Sequence, residues 1–262
     1  YMKKREANIE GMRCAMMFCI VLLHCCQFGP SSGTVFAKGL KGLLYCGVDA
    51  FVFISGWYGI RFGWQKILQL LGCGLFASLV VCAFSPLVGN GLSFKYSLGW
   101  FGNAYVALMC LAPLVNAGLE TLRERGLLIS AWCTYAVAMV VDWLPLGGGV
   151  DLHVPGWTGL SFNVLLFVYV TGRVLRWQDW SGRIRFWQAL SVCGTLALLN
   201  VVWGYAAGQA GASGVLHQIF VGTRDNDSPL TIAFAVSVFL VFNMKMNIRQ
   251  VYARIFFYIQ ER

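Results

Sequence analysis

Residues 9–27 read IEGMRCAMMFCIVLLHCCQ, an apolar run with one arginine near its start and one histidine near its end. A run of this length suits a helix crossing a hydrocarbon core of about 30 Å. Arg13 and His24 stand eleven positions apart. At about 100° per residue that is three turns plus roughly 20°, so both lie on one helical face. Their backbones are separated by about 16 Å along the axis. Ionisable side chains in such a segment are costly, and they face a bundle interior or a water-filled cavity when they serve a function. Each residue has a plainer reading. Arg13 could snorkel to the phosphate layer, and His24 could be a hydrogen-bonded core histidine.

The rest of the chain has the same character. Of its 262 residues, 58% are hydrophobic and 12% charged, and the mean hydropathy is +0.66. Soluble domains carry about 25% charged residues, so composition excludes a soluble protein and implies an integral membrane one. A net charge of +9 does not imply nucleic acid, because the basic residues are scattered between apolar spans. The first span lacks a small-residue cleavage site and holds Arg13, so it is not a cleavable leader. The ten cysteines fall inside or beside apolar spans without a two-plus-two CxxC spacing. They read as small buried hydrophobes, with no metal expected.

Hydropathy predicts an all-α polytopic transmembrane bundle of about eight complete spans, at 11–28, 42–60, 67–88, 100–119, 127–144, 157–175, 189–207 and 229–244. A partial ninth begins in the tail KMNIRQVYARIFFYIQER, and 29–41 and 145–156 read as loops. With a cytoplasmic amino terminus, sixteen of the twenty Lys and Arg fall inside, and only Lys38, Lys41, Lys95 and Arg224 outside. That bias sets the expected orientation, with Arg13 toward the cytoplasm and His24 toward the outer half.

Five stretches in series resemble the acyltransferase 3 family of integral-membrane acyltransferases. The first is NIEGMRCAMMFCIVLLH, with Arg13 and His24 in an Arg-x10-His arrangement. The second is GVDAFVFISGWYG, with Asp49, Ser55 and Gly56. The third holds Trp100, Phe101, Tyr105, Pro113 and Asn116; the fourth ends in Tyr169, Gly172 and Arg173; Ser228-Pro229 opens the fifth. Their order and spacing match over nearly the whole chain, which implies one membrane domain over 1–262. Family members are longer and carry a late Tyr-Leu-x-His element. The chain begins with Tyr1 and has no such His after Tyr258-Ile259-Gln260, so it is expected to be a piece truncated at the carboxyl end.

The resemblance implies an O-acetyltransferase of a bacterial cytoplasmic membrane. Acyl-CoA, with acetyl-CoA as its simplest form, would be the co-substrate, with no bound cofactor; a surface polysaccharide or lipid-linked sugar would be the acceptor. His24 is the expected base, or the nucleophile of an acyl-imidazole variant. Arg13 offers a planar fork on the donor side, with Glu10 one turn away as its partner. Arg61 and Arg173 are candidates for the donor phosphates, although positive inside loops occur in any such protein. Asp49 is expected to line the outer cavity near His24. Ser55 either helps the site or packs helices beside Gly56. Trp100 and Tyr105 either stack on a sugar or belong to an interfacial belt. A transporter or flippase of a glycan precursor, with Arg13, Asp49 and His24 along its path, and an inactive fragment are the alternatives.

Overall fold

The computed structural model of the chain describes residues 7–30, 34–88, 94–143, 162–179, 183–209 and 228–244. The described residues are helical, without strands. In chain order the helices are α1 (Ala7–Phe28), α2 (Val35–Leu44), α3 (Cys46–Tyr58), α4 (Trp64–Phe84), α5 (Gly99–Glu124), α6 (Leu128–Trp143), α7 (Phe162–Trp177), α8 (Phe186–Gln209) and α9 (Pro229–Asn243). A 3₁₀ turn at Ser85–Val88 follows α4.

A helix stands at each expected span. Among the described residues five stretches are long and apolar enough to cross a membrane: Ala7–Phe28, Phe36–Tyr58, Trp64–Leu87, Phe101–Glu124 and Phe186–Ala206. Within the described residues, α6, α7 and α9 have 16, 16 and 15 residues, about 22–24 Å at 1.5 Å per residue. The expected partial ninth span, over 245–262, lies outside the described residues. The second span corrects the expected boundary. It starts at Val35 rather than 42, because Thr34 caps α2 by accepting the Ala37 amide at 3.2 Å. Tyr45 then interrupts the helix for one residue before α3.

The chain divides into two compact units, Tyr1–Ile54 with Leu175–Arg262, and Ser55–Val174. In the first, α2 packs on α1 and α8, while α9 packs on α1 and α8. Gly42 permits the α2–α8 crossing, since a Cβ there would fall on the Asn200 carbonyl oxygen. Ile9, Met12, Met16 and Leu23 form the buried stripe of α1, and the Phe53 and Phe239 rings stand 4.9 Å apart. Asn200, itself buried, donates to the Leu196 and Leu230 carbonyls at 2.8 and 3.3 Å and accepts from Thr231 Oγ1 at 3.3 Å. Those bonds offset the desolvation of an amide in an apolar bundle.

In the second unit, α4 is tied to the segment before α5. Ser97 N–H donates to Ser78 Oγ at 3.1 Å, and Tyr96 Oη donates to the Leu71 carbonyl at 3.3 Å. Trp132 Nε1 donates to Thr171 Oγ1 at 3.0 Å, and Tyr135 Oη to the Asn163 carbonyl at 2.7 Å, joining α6 to α7. Pro113 sits in the interior of α5. It removes one rung of the backbone ladder and crowds the carbonyl of Met109 four residues before.

Candidate functional site

The first candidate pair is on α1. Arg13 is half-buried and ion-paired with Glu10, the two side chains being 38% and 37% exposed. The expected pairing is therefore present, and it holds the guanidinium against its own helix. His24 is exposed, with its ring edge-on to Phe28 at 6.0 Å. From the helical periodicity both residues lie roughly 80° round α1 from the centre of its buried stripe. The pair shares one flank of α1, on which Arg13 is half-exposed and His24 exposed.

Asp49 differs from its expectation. It has no accessible surface, so it faces packed protein rather than the wall of an open cavity near His24. The reason is local: it sits in the first turn of α3, between Val48, Ala50, Val52 and Phe53, which are themselves buried in the same unit.

The second group converges at the carboxyl end of α3. Ser55 and Tyr105, predicted separately, share a hydrogen bond of 2.9 Å between their hydroxyls. Phe101 stacks on the Tyr105 ring at 5.5 Å, covering one of its faces. The Trp100 side chain lies outside the described residues. Gly56 is pressed against α7, where a Cβ would fall on the Tyr169 carbonyl oxygen. Gly59 then ends the helix at φ +77°, a left-handed conformation that favours glycine, its amide donating to the Ser55 carbonyl at 2.9 Å.

The next residue is held by a closed circuit of hydrogen bonds. Ile60 N–H donates to Tyr169 Oη at 3.1 Å. That hydroxyl donates to Asn116 Oδ1 at 2.9 Å, and Asn116 Nδ2 donates to the Ile60 carbonyl at 3.2 Å. Donors and acceptors run head to tail, an arrangement in which each bond polarises the next. Tyr169 is fully buried. Arg173, one turn further along α7, is 12% exposed and lies 3.7 Å from Glu120 Oε1. A Cβ at Gly59 would stand 2.7 Å from its Nη1. Arg61 is exposed on the same turn. The two arginines expected to contact donor phosphates thus occupy one end of this unit.

A family model described as an acyltransferase domain matches residues 6–261. The chain belongs to the acyltransferase 3 family. No curated protein and no solved structure matches it. Membership together with the apolar helices makes it a multi-pass membrane acyltransferase. In this family member the quoted stretches of α3, α5 and α7 meet at the turn after α3. Sequence reasoning quoted Asn116 and Tyr169 without giving them a task and passed over Glu120. Asn116 and Tyr169 were findable as polar residues in apolar helices. Glu120 reads as an ordinary acid near a helix end.

Proposed function

We propose that this acyltransferase moves an acetyl group from acetyl-CoA to a hydroxyl of a cell-surface polysaccharide or lipid-linked sugar. In this reading it works in a bacterial cytoplasmic membrane with its amino terminus in the cytoplasm, as the Lys and Arg bias favours. The observation that carries it is the open flank of α1, where an accessible imidazole and a braced guanidinium share one face in a chain of this family.

His24 takes the proton of the acceptor hydroxyl as its oxygen attacks the thioester carbonyl. The carbon–sulfur bond then breaks, and the imidazolium returns the proton to the departing thiolate. Arg13, about 16 Å along the helix, is suited to a phosphate of the donor rather than to the reacting carbonyl. In the other unit, Arg61 and Arg173 carry guanidinium forks of the kind that binds phosphate, and Ser55 and Tyr105 carry hydroxyls of the kind that binds a sugar. The test is His24→Ala in the full-length protein, assayed for O-acetylation of the surface glycan. Loss of acetylation with normal membrane insertion supports the role; unchanged acetylation removes it.

A further inference from the structure

We infer that Tyr169 and Asn116 are positioning residues, which act through the turn after α3 to set Arg61 beside Arg173 for a phosphorylated donor. The inference rests on the proposed reading in one respect, the nature of that donor. Its physical basis is the circuit around Ile60. A five-residue connection from α3 to α4, at 59–63, can satisfy its backbone groups with water or within the turn itself. Here the Ile60 amide and carbonyl are instead both taken up by side chains, from 109 and 56 positions away. Those side chains are bonded to each other, so the peptide groups on either side of Ile60 have fixed orientations.

The consequence falls on the residue that follows. Arg61 leaves a backbone whose direction has been set, and its side chain is exposed. Arg173 approaches the same turn from α7, seated on the bare Cα face of Gly59. The tyrosine in the circuit and the arginine on the glycine belong to one helix, four residues apart. A shift of α7 would therefore move both supports of the turn together. Two arginines carried at one braced turn suit a polyanion such as a diphosphate, whose oxygens both forks can engage.

The experiment uses the full-length protein in lipid nanodiscs, with coenzyme A binding and acetyl transfer measured for wild type, Tyr169→Phe, Arg61→Ala and the double variant. Tyr169→Phe keeps the buried ring and deletes only the hydroxyl. The expected result is a coenzyme A Kd and a donor KM raised about two- to tenfold, the net worth of one hydrogen bond, with KM affected more than kcat. In the Arg61→Ala background the same change should weaken binding no further, since a residue acting through Arg61 has nothing left to position. Asn116→Asp, which keeps the acceptor for Tyr169 but turns an oxygen toward the Ile60 carbonyl, should shift Kd in the same direction. Unchanged binding in Tyr169→Phe, an equal loss with and without Arg61, or failure of both single variants to fold would overturn the inference while leaving the acyltransferase reading standing. A wild-type protein that binds no coenzyme A would remove that reading and the inference with it.

Discussion

Helices α1 and α7 both carry an arginine and a second polar side chain within an apolar sequence, yet they treat them in opposite ways. On α1 the arginine is 38% exposed and the histidine is open. On α7 the arginine is 12% exposed and the tyrosine fully buried. On α1 the arginine is ion-paired within the helix itself, to Glu10. The α7 pair is engaged by Ile60, Asn116, Glu120 and the face of Gly59. A group that must meet a substrate has to stay open to it, whereas a group that fixes the shape of a site works best when its bonds are already made. The contrast separates candidates for chemistry from candidates for placement, although both kinds share the same family motifs.

Four substitutions press on that contrast. The largest effect is expected from His24→Ala, which should lower kcat by about a hundredfold or more if the imidazole carries the proton, with a normal melting curve for the purified variant. A normal kcat would show that openness on α1 is no sign of chemistry. Next comes Gly56→Val, which forces a branched side chain onto the Tyr169 carbonyl and should destabilise the fold by about 1–3 kcal/mol in a thermal melt in detergent. On α1, Gly11 has nothing within 4 Å of a Cβ built there. Gly11→Ala should accordingly stabilise the protein by about 0.5–1 kcal/mol, since alanine is the better helix former. Opposite signs at these two glycines would sharpen the distinction between the helices, and equal losses would erase it. The smallest shift is expected from Glu10→Gln. Removing a half-exposed ion pair one turn apart should change stability by less than about 0.5 kcal/mol, while transfer kinetics report any effect on Arg13.

The helices were legible in the sequence because a membrane-length apolar run is a local signal that needs no knowledge of neighbours. The start of the second span was not. Lys38 and Lys41 made 35–41 look like a loop, but both are only half-exposed, and long lysine stems can lie along a helix that Gly42 seats against α8. Ser55 and Tyr105 could be picked as candidates one at a time, whereas the bond between them could not, since fifty positions separate them. The circuit at Ile60 was hidden for a further reason. Two of its three bonds end on a backbone group, and a backbone group leaves no mark in the residue alphabet. Asp49 was misplaced because a costly carboxylate suggests a cavity, and only the packing around it shows that it has none to face.

Pro113 gives α5 a mechanical property as well as a missing bond. A helix lacking one rung bends most easily there, so α5 is in effect two stiff rods with a soft joint between Tyr105 and Asn116. Each rod is tied to the end of α3, the first through the Ser55 hydroxyl and the second through Ile60. The end of α3 is therefore a splint laid across the joint. Bending at the proline has to stretch one of the two ties, so the compliance of α5 is governed by residues that lie outside it.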